Sequence, residues 1–272
     1  MSDLPKLSYF RPRDVEETIA ALARPGTCIY AGGTDLLVAL TERRPWVGFV
    51  RELVDIKSLD AAKGLTDLGD RLRIGSLVTA EELATNAMVR REVPVLAEAA
   101  GLTAAPALRR RGTIGGNITT PHPAGDVTTA LLALAATVEV VDGNALREAP
   151  LVEYIASRVL EWPRQRLVIA VKVRKCRRSA FEKLGPRSGF SRSIVAVGVS
   201  RFGDGVGVAL GGMGDRPFPA SATAAAIEQG RNIAAALQYE CRPPADELAA
   251  SGYRLRLADA LIGRALTRIG RP

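Results

Sequence analysis

Two short glycine-bearing segments carry the residue types in this sequence best suited to binding an anion. Ile29-Tyr30-Ala31-Gly32-Gly33-Thr34-Asp35-Leu36 places two residues without Cβ directly after an apolar stretch. There, backbone N–H groups can converge on a phosphate, and the Thr34 hydroxyl adds a donor. The order is neither GxGxxG nor GxxxxGK[ST], so the Rossmann and P-loop readings fail. Taken alone, a Gly-Gly pair serves a plain tight turn equally well. About 80 residues later, Thr113-Ile114-Gly115-Gly116-Asn117 repeats the ingredients: a hydroxyl, two glycines, and an amide that both donates and accepts. A dinucleotide's phosphates and sugars are commonly gripped from two sides, so the pair of loops points to a dinucleotide site.

Other candidates lie close by or downstream. Asp126 has the type and place of an N-cap for a helix over Val127–Leu134. His122, the single histidine, stands between Pro121 and Pro123, where an imidazole can exchange protons near neutral pH; a half-exposed loop histidine is the plain alternative. Lys183 can stabilise negative charge in a low-dielectric pocket, or sit on the surface at a strand end. Cys28, Cys176 and Cys241 are too far apart for a CxxC pair or a four-thiolate cluster, and one histidine leaves no usual zinc or haem set. Any redox chemistry on this chain must therefore be organic. Cys28, inside an apolar run, reads as a small buried hydrophobe. Cys176, beside Lys175, Arg177 and Arg178, is expected to have a lowered pKa if exposed and to serve as a labelling site.

The elements that must position these residues follow from pattern. Asp14-Val-Glu-Glu17 has capping-box spacing before Val15, Ile19 and Leu22 at helical intervals. Thr27–Tyr30 reads as a buried strand, and Thr34 as the cap of a helix over Asp35–Leu40. Phe49–Ile56 and Arg71–Leu77 read as strands, Thr79-Ala-Glu-Glu82 as a second capping box, and Val93–Ala100 as a helix. Leu102–Thr120 has no clear period and is expected to be an extended loop crossing the domain. Thr137–Val141 and Leu167–Val173 are strands, the first turned by Asp142-Gly143-Asn144. Ser193–Phe202 and Val206–Met213 form a hairpin. An alanine-rich helix near Ala220–Leu237 and an amphipathic helix over Tyr253–Ile269 follow, the latter with Leu257, Leu261, Ala265 and Ile269 on one face.

The totals exclude several classes. The chain has 272 residues, 47% of them hydrophobic, enough to bury a sizeable core without disulfides. No apolar run approaches the ~20 residues of a membrane span, and Met1-Ser-Asp-Leu-Pro lacks the order of a signal peptide, so the expected compartment is the cytoplasm. The net charge of +8 invites a nucleic-acid reading. However, the basic clusters, Arg109-Arg110-Arg111 and Lys172–Arg178, are short and lack interleaved aromatics for base stacking. A basic patch facing an acidic partner subunit accounts for them instead.

Taken together, Tyr30-Ala-Gly-Gly-Thr-Asp-Leu-Leu37, Leu72-Arg-Ile-Gly-Ser76, Arg111-Gly-Thr-Ile-Gly-Gly-Asn117, Pro123-Ala-Gly-Asp126, Tyr253-Arg254 and Arg264-Ala-Leu266 resemble the FAD-binding medium subunit of the molybdenum hydroxylases. That family includes xanthine dehydrogenase and carbon monoxide dehydrogenase, and the resemblance runs from about residue 5 to 268. It implies an α+β protein with a vanillyl-alcohol-oxidase-type (PCMH-type) FAD-binding domain over about residues 1–175, itself two subdomains of about 1–56 and 57–175. A C-terminal CO-dehydrogenase-flavoprotein-like α+β domain would occupy 176–272. It further implies that Ile29 to Leu36 and Thr113 to Asn117 hold FAD, that Asp126 contacts it, that Lys183 lies near the flavin, and that Thr103 and Ile169 are further contacts, Ile169 within one residue.

The implied function is electron transfer within a dimer of heterotrimers. A large partner would carry the molybdenum cofactor and a small partner two [2Fe–2S] clusters. Electrons would pass from the clusters to FAD and on to oxygen, a quinone or NAD. This sequence departs from the family in having Ala107-Leu-Arg-Arg110 where relatives commonly read Gln-Ile-Arg-Asn, and His122 where many have a small polar residue. Those two departures favour the alternative, a stand-alone FAD-dependent oxidoreductase acting on its own small substrate. A third reading is an assembly module with a vestigial FAD site.

Overall fold

The computed structural model describes residues 6–143, 145–158, 166–187 and 191–270. Its architecture is α+β, built on three sheets. The first is a small parallel sheet in the order β1 (Ser8–Phe10), β3 (Glu52–Asp55), β2 (Thr27–Tyr30). Parallel neighbours require crossovers, and helices α1 (Val15–Leu22) and α2 (Leu36–Thr41) lie in the connections. Asp14 caps α1 by accepting from the Glu17 N–H at 2.8 Å. The return half of the expected box is displaced by one residue, because Glu17 bonds the backbone N–H and guanidinium of Arg13. Thr34 does not cap α2: Asp35 holds the N-cap position and makes no side-chain cap bond.

The second sheet is antiparallel, ordered β4 (Leu65–Asp67), β5 (Arg71–Gly75), β8 (Arg166–Arg174), β6 (Thr137–Asp142), β7 (Ala145–Pro150). Between β5 and β6 run α3 (Ala80–Thr85), α4 (Ala87–Glu92), α5 (Pro94–Leu102), α6 (Pro106–Arg109), α7 (Ile114–Thr119) and α8 (Asp126–Ala133), and α9 (Leu151–Arg158) follows β7. The Thr79–Glu82 box is complete, with both reciprocal bonds made. The stretch expected to be an extended loop instead holds α6 and α7. Two glycines lower helix propensity, but Thr113 caps α7 at the Gly116 N–H, and an antiparallel bridge between Thr79 and Thr113 pins its start.

The third sheet runs β12 (Phe218–Pro219), β11 (Gly205–Gly211), β10 (Val195–Phe202), β9 (Ser179–Leu184), all antiparallel. One face is covered by α12 (Ser251–Ile269), preceded by α10 (Ser221–Glu228) and α11 (Ile233–Glu240). The single alanine-rich helix expected here is broken in two, with Gly230 at φ +61° between the halves. The other face lies on α8, which is buried along its whole length. Glycines allow that approach: a Cβ on Gly207 would lie 2.1 Å from the Ala133 carbonyl oxygen, and one on Gly198 2.9 Å from the Ala133 Cβ. The largest apolar cluster, containing Leu96, Leu131, Val171 and Phe181, therefore draws on both the second and third sheets. All three cysteines are buried. For Cys176 this overturns the labelling expectation: desolvation pushes its thiol up despite the neighbouring arginines.

Candidate functional site

Between the two glycine segments opens a cleft of about 580 Å³. Ile29, Ala31 to Leu36, Thr103, Thr113 to Asn117, His122 and Asp126 all line it, so the fold brings most of the sequence-derived set to one place. Three named residues do not line it. The Tyr30 ring lies beneath the Lys57 ammonium, 3.7 Å from its centroid. Ile169 is buried in the core with its carbonyl accepting the Ser76 N–H at 2.8 Å, and the cleft wall takes Leu167 and Val168 instead. Lys183 stands behind Asp126.

The two loops touch each other. A Cβ on Gly32 would fall 1.9 Å from the Arg111 carbonyl oxygen, so Gly32 is required by backbone packing against the second loop's approach. Gly33 sits at φ +75°, and its missing side chain leaves room for the Tyr30 ring. In the second loop, a Cβ on Gly115 would meet Ser76 at 2.8 Å, whereas one on Gly116 would meet only the Thr113 hydroxyl, at 3.2 Å. Gly116 is thus less tightly enclosed than Gly115, with only a side-chain hydroxyl that must give by a few tenths of an ångström.

Hydrogen bonding separates the loops further. The N–H groups of Gly32, Gly33, Thr34, Asp35 and Leu36 have no partner among the described residues. The first amides of a helix have no intrahelical partner, and Gly32 to Leu36, half-buried or exposed, lead directly into α2. A run of them in a cleft wall forms a receptacle for an anion with several acceptor oxygens. In the second loop the amides are spent: Ile114 donates to Val78, Gly115 to Ser76, Gly116 to the Thr113 hydroxyl and Asn117 to the Thr113 carbonyl. The Asn117 side-chain oxygen accepts from the backbone N–H of Thr128 at 3.1 Å and from its hydroxyl at 2.6 Å.

Asp126 is the first residue of α8 and Gly125 its N-cap, so the capping role expected of Asp126 is not the one it plays. Its carboxylate accepts from the Lys183 ammonium and the Ser193 hydroxyl, both at 2.6 Å. Burial pushes the Asp126 carboxyl up, opposed by Lys183 and by the Ser193 hydrogen bond. His122 lies on the exposed rim, and its Nδ1 accepts the Ala124 N–H at 3.0 Å. The proton of the neutral ring therefore resides on Nε2. Partial burial, reinforced by the Arg192 charge, lowers the imidazole pKa below 6.5.

Sequence reasoning missed several wall residues, among them Ser76, Val127, Arg166 and Arg192. Ser76 follows Gly75 within a recognisable motif, and its buried hydroxyl has no hydrogen-bond partner among the described residues. Arg166 and Arg192 carried no local signal, since only the packing of distant strands brings them to the cleft.

Over residues 5–174 the chain matches the family described as the FAD binding domain in molybdopterin dehydrogenase. It is 32% identical over 148 residues to the carbon monoxide dehydrogenase medium chain of Hydrogenophaga pseudoflava, a stretch covering 54% of this chain and 50% of that relative. It is 25% identical to the glyceraldehyde dehydrogenase medium chain of Sulfolobus acidocaldarius, covering 97% of this chain and 99% of that one. Among solved structures, a chain of carbon monoxide dehydrogenase from Hydrogenophaga pseudoflava superposes with a TM-score of 0.86 at 25% identity, covering 98% of each chain.

Proposed function

The chain belongs to the family of FAD-binding domains of molybdopterin dehydrogenases, its cofactor is FAD, and from that premise we propose that it is the electron-transferring medium subunit of a molybdenum hydroxylase. The observation that carries the cofactor site is the run of five amides, Gly32 to Leu36, without partners among the described residues in the cleft wall. A pyrophosphate offers the acceptor oxygens those amides lack, and the Thr34 hydroxyl adds a further donor. Gly116 supplies room for the dinucleotide beside them, and Thr103 and Asp126 offer polar groups farther along the cleft. When bound, FAD supplies a redox centre able to exchange electrons singly or in pairs. The chain's own part is to bind and orient the cofactor, and His122 holds a proton on Nε2 at the rim.

Three separated cysteines cannot form a four-thiolate cluster. The iron–sulfur clusters are thus assigned to a small partner and the molybdenum cofactor to a large one. The division near residue 175 into an FAD-binding and a C-terminal domain belongs to the same proposal.

The test begins with FAD-free protein titrated with FAD, following quenching of flavin fluorescence. Wild-type protein is expected to bind, and Gly116→Val to weaken binding at least a hundredfold while keeping the native far-UV circular dichroism. Full retention of FAD by Gly116→Val would remove the second loop from the site. Oxidation of an organic substrate by the FAD-loaded chain without partners would replace the subunit reading with a stand-alone oxidoreductase. A natively folded chain that binds no FAD would leave only an assembly module.

A further inference from the structure

The parallel sheet meets the first glycine loop at a small charged cluster. Asp55 closes β3 and is 2% exposed. Burial raises its carboxyl pKa, but hydrogen bonds from Lys57 and the Tyr9 hydroxyl outweigh burial and hold it below the ordinary carboxylate range. The Lys57 ammonium lies 2.6 Å from Asp55 Oδ1, 3.4 Å from the Ala31 carbonyl oxygen and 3.7 Å from the centroid of the Tyr30 ring. From the second loop, Arg111 reaches the Gly32 carbonyl and the Tyr30 hydroxyl, each at 3.4 Å. Successive carbonyls of the first loop thus each face a cation. In a planar trans peptide the C=O and the following N–H point in opposite directions. A carbonyl held toward Lys57 therefore aims the Gly32 N–H away from it, and a carbonyl held toward Arg111 does the same for Gly33. Both glycines line the cleft, and neither amide has a partner among the described residues.

We infer that Lys57 is a positioning residue of the cofactor site: anchored on Asp55, it holds the Ala31 carbonyl and the Tyr30 ring, and thereby sets the direction in which the first loop presents its amides. The inference rests on the reading that those amides receive the FAD pyrophosphate. Tyr30 carries the constraint on to Gly33, because its ring fills the space a Cβ there would take, with Cε2 2.6 Å from that position. A cation is attracted to the face of an aromatic ring by the ring quadrupole, so the contact fixes orientation as well as distance. Without the ammonium, the Ala31–Gly32 peptide loses the partner that fixes its plane. The cost then falls on whatever the amides bind and is shared by every ligand with the same two phosphates. A lysine acting on the phosphates by its field alone would instead lose its effect at high salt, because its side chain is 40% exposed.

Wild type, Lys57→Met and Lys57→Arg are compared in affinity for FAD and for ADP, a probe with the same diphosphate, at low and high salt. The backbone amide resonance of Gly32 is followed by NMR in the FAD-free proteins. Lys57→Met is expected to weaken FAD and ADP by the same factor, about tenfold, at both salt concentrations, and to shift the Gly32 resonance. Lys57→Arg keeps the charge and the donors; it is expected to bind both within about twofold of wild type and to restore the resonance. A loss confined to FAD, a loss that disappears at high salt, or an unmoved Gly32 resonance in Lys57→Met would overturn the inference. If Lys57→Met does not fold, the double variant Asp55→Asn/Lys57→Met, which leaves no buried carboxylate without its cation, takes its place with the same expectations. If wild-type protein binds neither FAD nor ADP, the functional reading fails by itself. The Gly32 resonance in the FAD-free variants then decides the positioning role.

Discussion

The two glycine loops look alike in sequence and do different work. Gly32 to Leu36 leaves five consecutive amides without partners among the described residues, while Ile114 to Asn117 has all four of its amides bonded within the fold. The first loop therefore supplies donors, and the second supplies shape. The distinction extends to single residues within each pair. Gly32 and Gly115 are glycines because backbone or side-chain atoms fill the space a Cβ would take, whereas Gly116 is less tightly enclosed. A doubled Gly-Gly motif thus does not imply a doubled anion site.

The sharpest way to break this comparison is Gly32→Ala. Its added methyl collides with the Arg111 backbone, which cannot move without separating the loops. A cost of about 3 kcal/mol or more is expected, at the upper end for overpacking, measured as a shift in urea midpoint. A variant as stable as wild type would show that the loops do not depend on close contact. Gly116→Val makes the contrast, with ligand binding lost and the fold kept.

Thr113→Ala probes the second loop's internal bonding, because the hydroxyl caps the Gly116 N–H. Loss of about 1 kcal/mol is expected from chemical unfolding. An unchanged midpoint would mean that the amides of α7 are not committed as described. Ser76→Ala is expected to be neutral or to stabilise by up to about 1 kcal/mol, since it deletes a buried hydroxyl that makes no hydrogen bond among the described residues. A clear loss in melting temperature would reveal a partner for it.

The smallest effect belongs to His122, at the rim beyond the second loop. As the single histidine, it can be followed by NMR without ambiguity. Its titration midpoint is expected below 6.5, because burial and the Arg192 charge disfavour the imidazolium. The sign follows: near and below pH 6.5 the unfolded chain binds more protons at this site than the folded one, so its contribution to stability falls as pH drops through that value. A midpoint at or above 6.5 would contradict the described surroundings.

Much of the fold was legible because its signals are local. Thr27–Tyr30 was read to the residue, the Thr79–Glu82 box is made in full, and the hairpin and the terminal helix lie close to where periodicity put them. What escaped lacked local pattern. The strand Ala145–Pro150 is mostly exposed and gains its conformation from pairing with Thr137–Asp142, so its side chains carry no alternation to read. The helix Ile114–Thr119 contradicts glycine propensity and exists through a cap and a bridge to a residue 34 positions earlier. Cys176 was judged by its charged sequence neighbours, yet the strand packing that buries it reverses the direction of its pKa shift.

The sequence by itself determined the residue types at the site, the glycines that permit close approach, and the exclusion of a cluster built from three separated cysteines. Those properties belong to single residues and their spacing, and they survive whatever the chain does elsewhere. Tertiary structure alone decided which amides remain unpaired among the described residues, which glycine is less tightly enclosed, and that the Lys57 ammonium meets the Ala31 carbonyl. Each of these depends on partners many positions away, and hydrogen-bond satisfaction is a property of the whole fold that no local window of sequence contains.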